Sequence, residues 1–327
     1  MKTDFTYGNV FKQLVYFSGP IILANLLQIS FQFVDSLWVG NLLGAKALGA
    51  AAVSGTVFFT VLSFVLGVNN AALTILAQQK GKGDKKGLAS YVNAFVVLMT
   101  AMSVLLGVIG YFFTEPLLSL LQTPGNMMDL AVSYLSIHFI GIIFLFGYNF
   151  ISTVLRAVGD SQTPLRFVLL AVILNLFMDP LFISVFNLGI AGAAYATVVS
   201  QGIAFIYGVV YTVRKQLVPF SKPALPSLAE TSVILKLGVP AGLQMMVISG
   251  GSMAIMSVVN SFGESVVSGF GAVQRLDSLL ILPAMAIGTA VNSMAGQTVG
   301  SGDMERTKKI AHYGVIYVLL FMAAVST

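Results

Sequence analysis

Apolar residues in this chain come in long unbroken runs, separated by short polar clusters. Nine such runs lie at about 12–38, 48–78, 88–113, 131–155, 165–187, 190–213, 234–260, 266–298 and 309–327. A run of ~18 or more apolar residues crosses the hydrocarbon as a helix, because ~20 residues at a rise of 1.5 Å span it. The pattern therefore predicts an all-α membrane protein, a polytopic bundle of about nine transmembrane helices. The opening Met1-Lys2-Thr3-Asp4 leads into a run too long for a signal-peptide core, with no small-residue cleavage site after it. The first helix is expected to be retained.

Composition agrees: 57% of residues are hydrophobic and 9% charged, a ratio that no soluble core of 327 residues requires. The absence of cysteine excludes disulfides and thiolate chemistry. The net charge of +5 could suggest nucleic acid, but its placement argues otherwise. With the N-terminus inside, the inner loops hold fifteen of the seventeen basic residues; Lys46 falls outside and Arg275 within the eighth run. That is the positive-inside pattern. It predicts a multi-pass protein of the cell membrane with a cytoplasmic N-terminus, a lipid bilayer as partner and no nucleic-acid surface.

An internal repeat organises the chain. Gln78-Gln79-Lys80-Gly81-Lys82-Gly83-Asp84 ends the second run, and Gln297-Thr298-Val299-Gly300-Ser301-Gly302-Asp303 ends the eighth, 219 residues later. Gly19-Pro20 meets Val239-Pro240 at an offset of 220. Duplicated lobes with Pro-interrupted helices and a midplane site are a transporter architecture. The expected division is an N-terminal six-helix lobe at 1–213, a cytoplasmic linker at 214–233 and a partial second lobe at 234–327. Both copies begin on the same side, because six is even, so the repeats are parallel. The second copy stops inside its third helix, which leads to the expectation of a fragment lacking about three helices.

Two carboxylates stand alone in apolar runs, Asp35 between Lys12 and Lys46, and Asp179 between Arg166 and Arg214. A charged group at the centre of a membrane helix costs roughly 2.5–3.5 kcal/mol on insertion scales, so such residues mark ion or substrate pathways. Asn25, Gln28, Gln32 and Asp35 share one helix face by spacing, either as a cavity lining or as interhelical hydrogen bonds. Asn175 lies one turn before Asp179, and Pro180 frees a backbone carbonyl nearby. With Thr197 and Gln201 in the next run, these form a hard-oxygen cluster suited to Na⁺ or a shared proton. Arg275 and Asp277 are expected at one side of the cavity. The only histidines, His138 and His312, lack further ligands for zinc. Methionines of the seventh run, Met245, Met246, Met253 and Met256, pack or line an adaptable cavity.

These residues resemble those of the multidrug and toxic compound extrusion (MATE) transporters. The resemblance rests on Asp35-Ser36-Leu37-Trp38-Val39-Gly40, on Arg156-Ala157-Val158-Gly159-Asp160-Ser161-Gln162-Thr163-Pro164, on Asp179-Pro180-Leu181-Phe182-Ile183 and on Gly189-Ile190-Ala191-Gly192-Ala193-Ala194-Tyr195-Ala196-Thr197. It implies two six-helix lobes around a central cavity and export of small organic cations in exchange for H⁺ or Na⁺. It carries the coupling site, a possible Na⁺ site included, onto Asp35, Asn175, Asp179 and Thr197. No carboxylate lies between Pro240 and Gly263, where the NorM branch keeps a glutamate, so the resemblance is to the DinF-like branch. A monomer without cofactor is expected.

Two rivals are weaker. A lipid-linked oligosaccharide flippase of the same superfamily would need cations for a pyrophosphate, and the runs hold only Arg275. A membrane enzyme would need a nucleophile–base or metal constellation, and zero cysteines with two distant histidines supply none.

Overall fold

The computed structural model describes the backbone of residues 3–220, 224–260 and 264–326, and their side chains except those at 253, 257, 260, 264–269, 271, 272, 274–280, 325 and 326. The described elements are helical throughout: α1 Val10–Gly81, α2 Lys85–Phe112, α3 Thr114–Leu120, α4 Gly125–Ala157, α5 Gln162–Pro180, a π turn Leu181–Val185, α6 Gly189–Arg214, α7 Leu228–Asn260, α8 Glu264–Gly300 and α9 Met304–Ser326. Each of the nine expected spans falls on helix. Among the described residues, six helical segments are long and apolar enough to cross a membrane, and one of them, α1, carries two expected spans.

The first and second spans are joined in one 72-residue element, where a loop was expected. The break falls on a single residue, Gly44, with φ 83° and ψ 179°. Only glycine enters that region without a steric penalty, so one residue turns the chain and helix resumes at once on both sides. The linker is also shorter than expected, because α7 starts at Leu228 and not near 234. A capping box sets that start: the Glu230 amide donates to Ser227 Oγ at 3.2 Å, and the Ser227 amide donates to Glu230 Oε2 at 3.0 Å. Burial pushes the Glu230 carboxyl up, but hydrogen bonds from Ser90 and Ser227 outweigh it and hold the group below its usual range.

Helix α4 is the centre of the first half, with α1, α2 and α6 packed around it. Glycines set the closest approaches. A Cβ on Gly141 would run into Val198, and one on Gly147 into Phe205, so α6 lies nearly backbone-close to α4. Outward surfaces stay apolar, as lipid requires, with Leu105, Val108 and Phe112 all more than half exposed.

The two Gly-Asp turns fold alike. Gly83 and Gly302 take φ 71° and 82°. Asp84 Oδ1 caps α2 through the Gly87 amide at 2.9 Å, and Asp303 Oδ1 caps α9 through the Arg306 amide at 2.9 Å. The turns also face each other: a Cβ on Gly81 would strike the Gln297 carbonyl, and one on Gly300 the Gln78 carbonyl. These two contacts are reciprocal under the 219-residue offset, the mark of a twofold relation between the repeats.

Candidate functional site

Asp179, Asn175 and Thr197 are 0%, 1% and 6% exposed. Asn175 and Asp179 lie one turn apart on α5, so the Asn175 amide reaches Asp179 Oδ1 at 2.9 Å. The same amide nitrogen lies 3.4 Å from Thr197 Oγ1 on α6. Two local features bring α6 close enough. Pro180 lacks an amide and is followed at once by the π turn, whose Phe186 amide bonds the Leu181 carbonyl at 3.0 Å. Gly192 then packs against that turn, where a Cβ would come within 2.7 Å of the Phe182 carbonyl group.

Asp35, on the first limb of α1, faces the cluster from the other side. It interacts electrostatically with Asp179, and Tyr134 on α4 stands in the field of both carboxylates. The Tyr134 hydroxyl donates to Asp35 Oδ2 at 3.4 Å, a long bond. Three buried oxygens of this cluster have no hydrogen-bond partner among the described residues, Asp35 Oδ1, Asn175 Oδ1 and Asp179 Oδ2; the other such buried atoms belong to the side chains of Asn69, Arg156 and Thr212. Buried polar atoms are normally satisfied, and two carboxylates each with an orphaned oxygen in one cluster point to a missing partner that brings protons or positive charge.

Asp35 also lines a cavity of about 640 Å³, together with Gln32, Tyr134, His138, Thr197 and Gln201. The half of α7 described there adds Ser249, Ser252 and Met256, so both repeats contribute to the wall. His138 is a structural part of it: Nδ1 lies 2.9 Å from the Tyr134 carbonyl and the ring packs on Tyr134 and Phe58. Among the described residues there is no group of three metal-ligating His, Cys, Asp or Glu side chains.

The expected residues thus fall into three sets. Asp35, Asn175, Asp179 and Thr197 come together, and Gln32 and Gln201 join them through the cavity. Asn25 and Gln28 are not among the residues lining this cavity, although they share the helix face of Asp35. Gln28 lies instead within reach of the Tyr148 side chain on α4. Arg275 and Asp277 lie outside the described side chains. Tyr134 was missed, because a tyrosine in an apolar run has no sequence mark separating it from a packing aromatic.

The opposite end of the bundle is closed. Ser293 Oγ donates to the Arg156 carbonyl at 2.6 Å, and Gln297 Nε2 to the Ala157 carbonyl at 2.8 Å. Beneath them runs the N-terminal segment, tied by the Thr3 amide to the Gly159 carbonyl at 3.0 Å and by the Phe5 amide to Gln297 Oε1 at 3.4 Å. Arg306 grips this segment through the Phe5, Tyr7 and Gly8 carbonyls at 2.6, 2.8 and 2.9 Å. Burial pushes the Asp4 carboxyl up, but Thr6 hydrogen bonds and the charges of Lys80 and Arg306 outweigh it and hold it below the usual carboxylate range.

A helical membrane bundle with a shared cavity, a buried acidic cluster and one end sealed has the form of a transporter. Comparison with known proteins places it in a family. The MatE family model matches residues 20–181 and 240–327. A probable multidrug resistance protein of Bacillus subtilis, YpnP, is 69% identical over 93% of this chain and 68% of its own length. A second from the same organism, YoeA, is 31% identical over 94% of this chain and 68% of its own. The chain belongs to the MatE family of multidrug efflux transporters. Its fold is that of solved MATE structures. A MOP-superfamily transporter from Pyrococcus furiosus superposes with a TM-score of 0.91 at 24% identity, over 98% of this chain and 72% of that one.

Proposed function

We propose that the protein is a secondary antiporter of the cell membrane, exporting small organic cations in exchange for H⁺ or Na⁺. The observation that carries this reading is the pair of facing carboxylates, Asp35 and Asp179, with orphaned oxygens beside a 640 Å³ cavity. Two acids in electrostatic reach of each other hold a proton, a Na⁺ or a substrate cation more readily than two free negative charges. Coupling ion and substrate compete for that one charge, and the competition enforces exchange. Asp179, Asn175 and Thr197 offer oxygens to a hard cation; Asp35, on the cavity wall, is the group that a substrate meets.

With basic loops on the cytoplasmic side, the sealed end is the inner one and the cavity faces outward. Binding of the coupling ion would neutralise the cluster and release the cation. The flippase reading finds no support in the cavity, whose described charged lining is the acid Asp35 and no cation. The lack of a carboxylate between Pro240 and Gly263 in the sequence favours the DinF-like branch.

The test is dye efflux from vesicles holding the complete gene product, under separately imposed pH and Na⁺ gradients. Asp35→Asn and Asp179→Asn should each abolish gradient-driven efflux, while Asn175→Ala and Thr197→Ala should only weaken it. Wild-type efflux in both carboxylate variants would remove the coupling role.

A further inference from the structure

Two other cavities lie end to end in the first half and share Val213 and Phe220. One, of about 590 Å³, sits at the basic end among Gln79, Lys80, Asp84, Lys85 and Gln216. The other, of about 410 Å³, is an apolar groove between α2 and α6, floored by Ile143, Phe146, Gly147 and Phe150 of α4. Its α2 wall runs from Asn93 to Ser103, about 15 Å at the helical rise. That is half the ~30 Å hydrocarbon thickness, the depth of one leaflet.

Ala224, after α6, is anchored on α2 beside the groove. Asn93 Nδ2 donates to the Ala224 carbonyl at 2.7 Å and Asn93 Oδ1 accepts from the Ala224 amide at 3.2 Å. Ser90 donates to Glu230. Phe220 lines both the basic and the apolar compartment, at their meeting point.

We infer that this paired cavity is a binding site for an anionic glycerophospholipid of the inner leaflet, its phosphate at Lys80 and Lys85 and one acyl chain in the α2–α6 groove. Charge complementarity selects the occupant. Two carboxylates stand at the mouth, Asp84, which accepts from the Gly87 amide, and Asp4, which accepts from the Thr6 amide and lies in the field of Lys80; they offset only part of the local positive charge. The exposed Lys82, Lys86, Arg214 and Lys215 add to the positive field. The same field repels organic cations, so the site is distinct in chemistry from the Asp35 cavity. A lone phosphate would leave the groove unused, and a zwitterionic lipid would bring its own cation against the lysines.

The experiment is lipid binding to the purified chain in detergent, read by native mass spectrometry, with phosphatidylglycerol, phosphatidylcholine of the same chains, and glycerol phosphate. Phosphatidylglycerol should bind at least tenfold tighter than phosphatidylcholine, and glycerol phosphate should not compete. Lys80→Gln with Lys85→Gln should remove that preference, at about fivefold per lysine. The same charge loss at Lys308 and Lys309, on α9, should leave it intact. Ile143→Trp should weaken both lipids about equally by filling the groove. Equal affinity for the two lipids, effective competition by glycerol phosphate, or an equal effect of the Lys308/Lys309 pair would each overturn the site.

Discussion

Ala77 and Gly296, equivalent residues of the two repeats, touch: a Cβ on Gly296 would sit 2.7 Å from that of Ala77. Two equivalent positions can meet only on the axis that relates them, so the pseudo-twofold passes between α1 and α8 here. The reciprocal pairs Gly81–Gln297 and Gly300–Gln78 lie one turn further on, to one side of that axis and the other. In a two-lobe transporter the lobes pivot where they stay in contact, and this point is at the sealed end.

Gly81→Val and Gly300→Val should therefore be about equally harmful. Each side chain would enter a backbone carbonyl across the axis, and overpacking of this kind costs about 1–3 kcal/mol. Melting in detergent should fall in both variants, whereas Gly83→Val would act through its positive φ alone, with nothing within 4 Å of the new Cβ. A wild-type melting curve for either axis variant would refute the close-contact account.

Tyr134→Phe should lower gradient-driven efflux without loss of folding, because the ring stays and only the hydroxyl goes. A hydrogen bond to a charged group is worth about 1.5–3 kcal/mol, and at 3.4 Å this one belongs at the low end. The expected loss is roughly tenfold. Initial rates at saturating and limiting dye would check it, and unchanged rates would reduce Tyr134 to packing.

Gly192→Val should uncouple Thr197 from Asn175. The new side chain would push α6 off the π turn, and their 3.4 Å contact has no slack. Efflux should fall at least as far as in Thr197→Ala. If instead Gly192→Val transports normally, the close packing of α6 is not what assembles the cluster.

Much of this site was readable because its chemistry is local. Asn175 and Asp179 are one helical turn apart, and an acid in an apolar run stands out. The repeat was equally plain, since both turns use the same Gly-Asp cap. What could not be read was contact between distant segments. Tyr134 meets Asp35 across 99 residues, and Gln28 looked like a cavity residue until Tyr148 on α4 met it. The expected loop after Trp38 failed for a different reason. Apolar runs report where lipid ends, whereas the helix continues until a residue with special φ stops it, here Gly44 alone.

Arg306 is the least legible residue of all, because its partners are main-chain carbonyls some 300 positions away. Its fork also bonds Gln13 Oε1 at 3.0 Å. The segment it holds covers an apolar cluster in which Phe5 and Phe17 pack with Met294 and Ile310. Arg306→Ala should free that segment and open the sealed end more often. Losing several charge-assisted bonds, which are not additive, should raise the opening equilibrium roughly 10- to 100-fold. The chain has no cysteine, so Met294→Cys gives a single reporter beneath Phe5. Its labelling rate with a water-soluble maleimide should rise by that factor when Arg306→Ala is added. Arg306→Lys should fall between, since an ammonium keeps the charge but cannot span the same carbonyls as a planar fork. Equal labelling with and without Arg306 would mean that the Ser293 and Gln297 bonds to α4 hold the end shut by themselves.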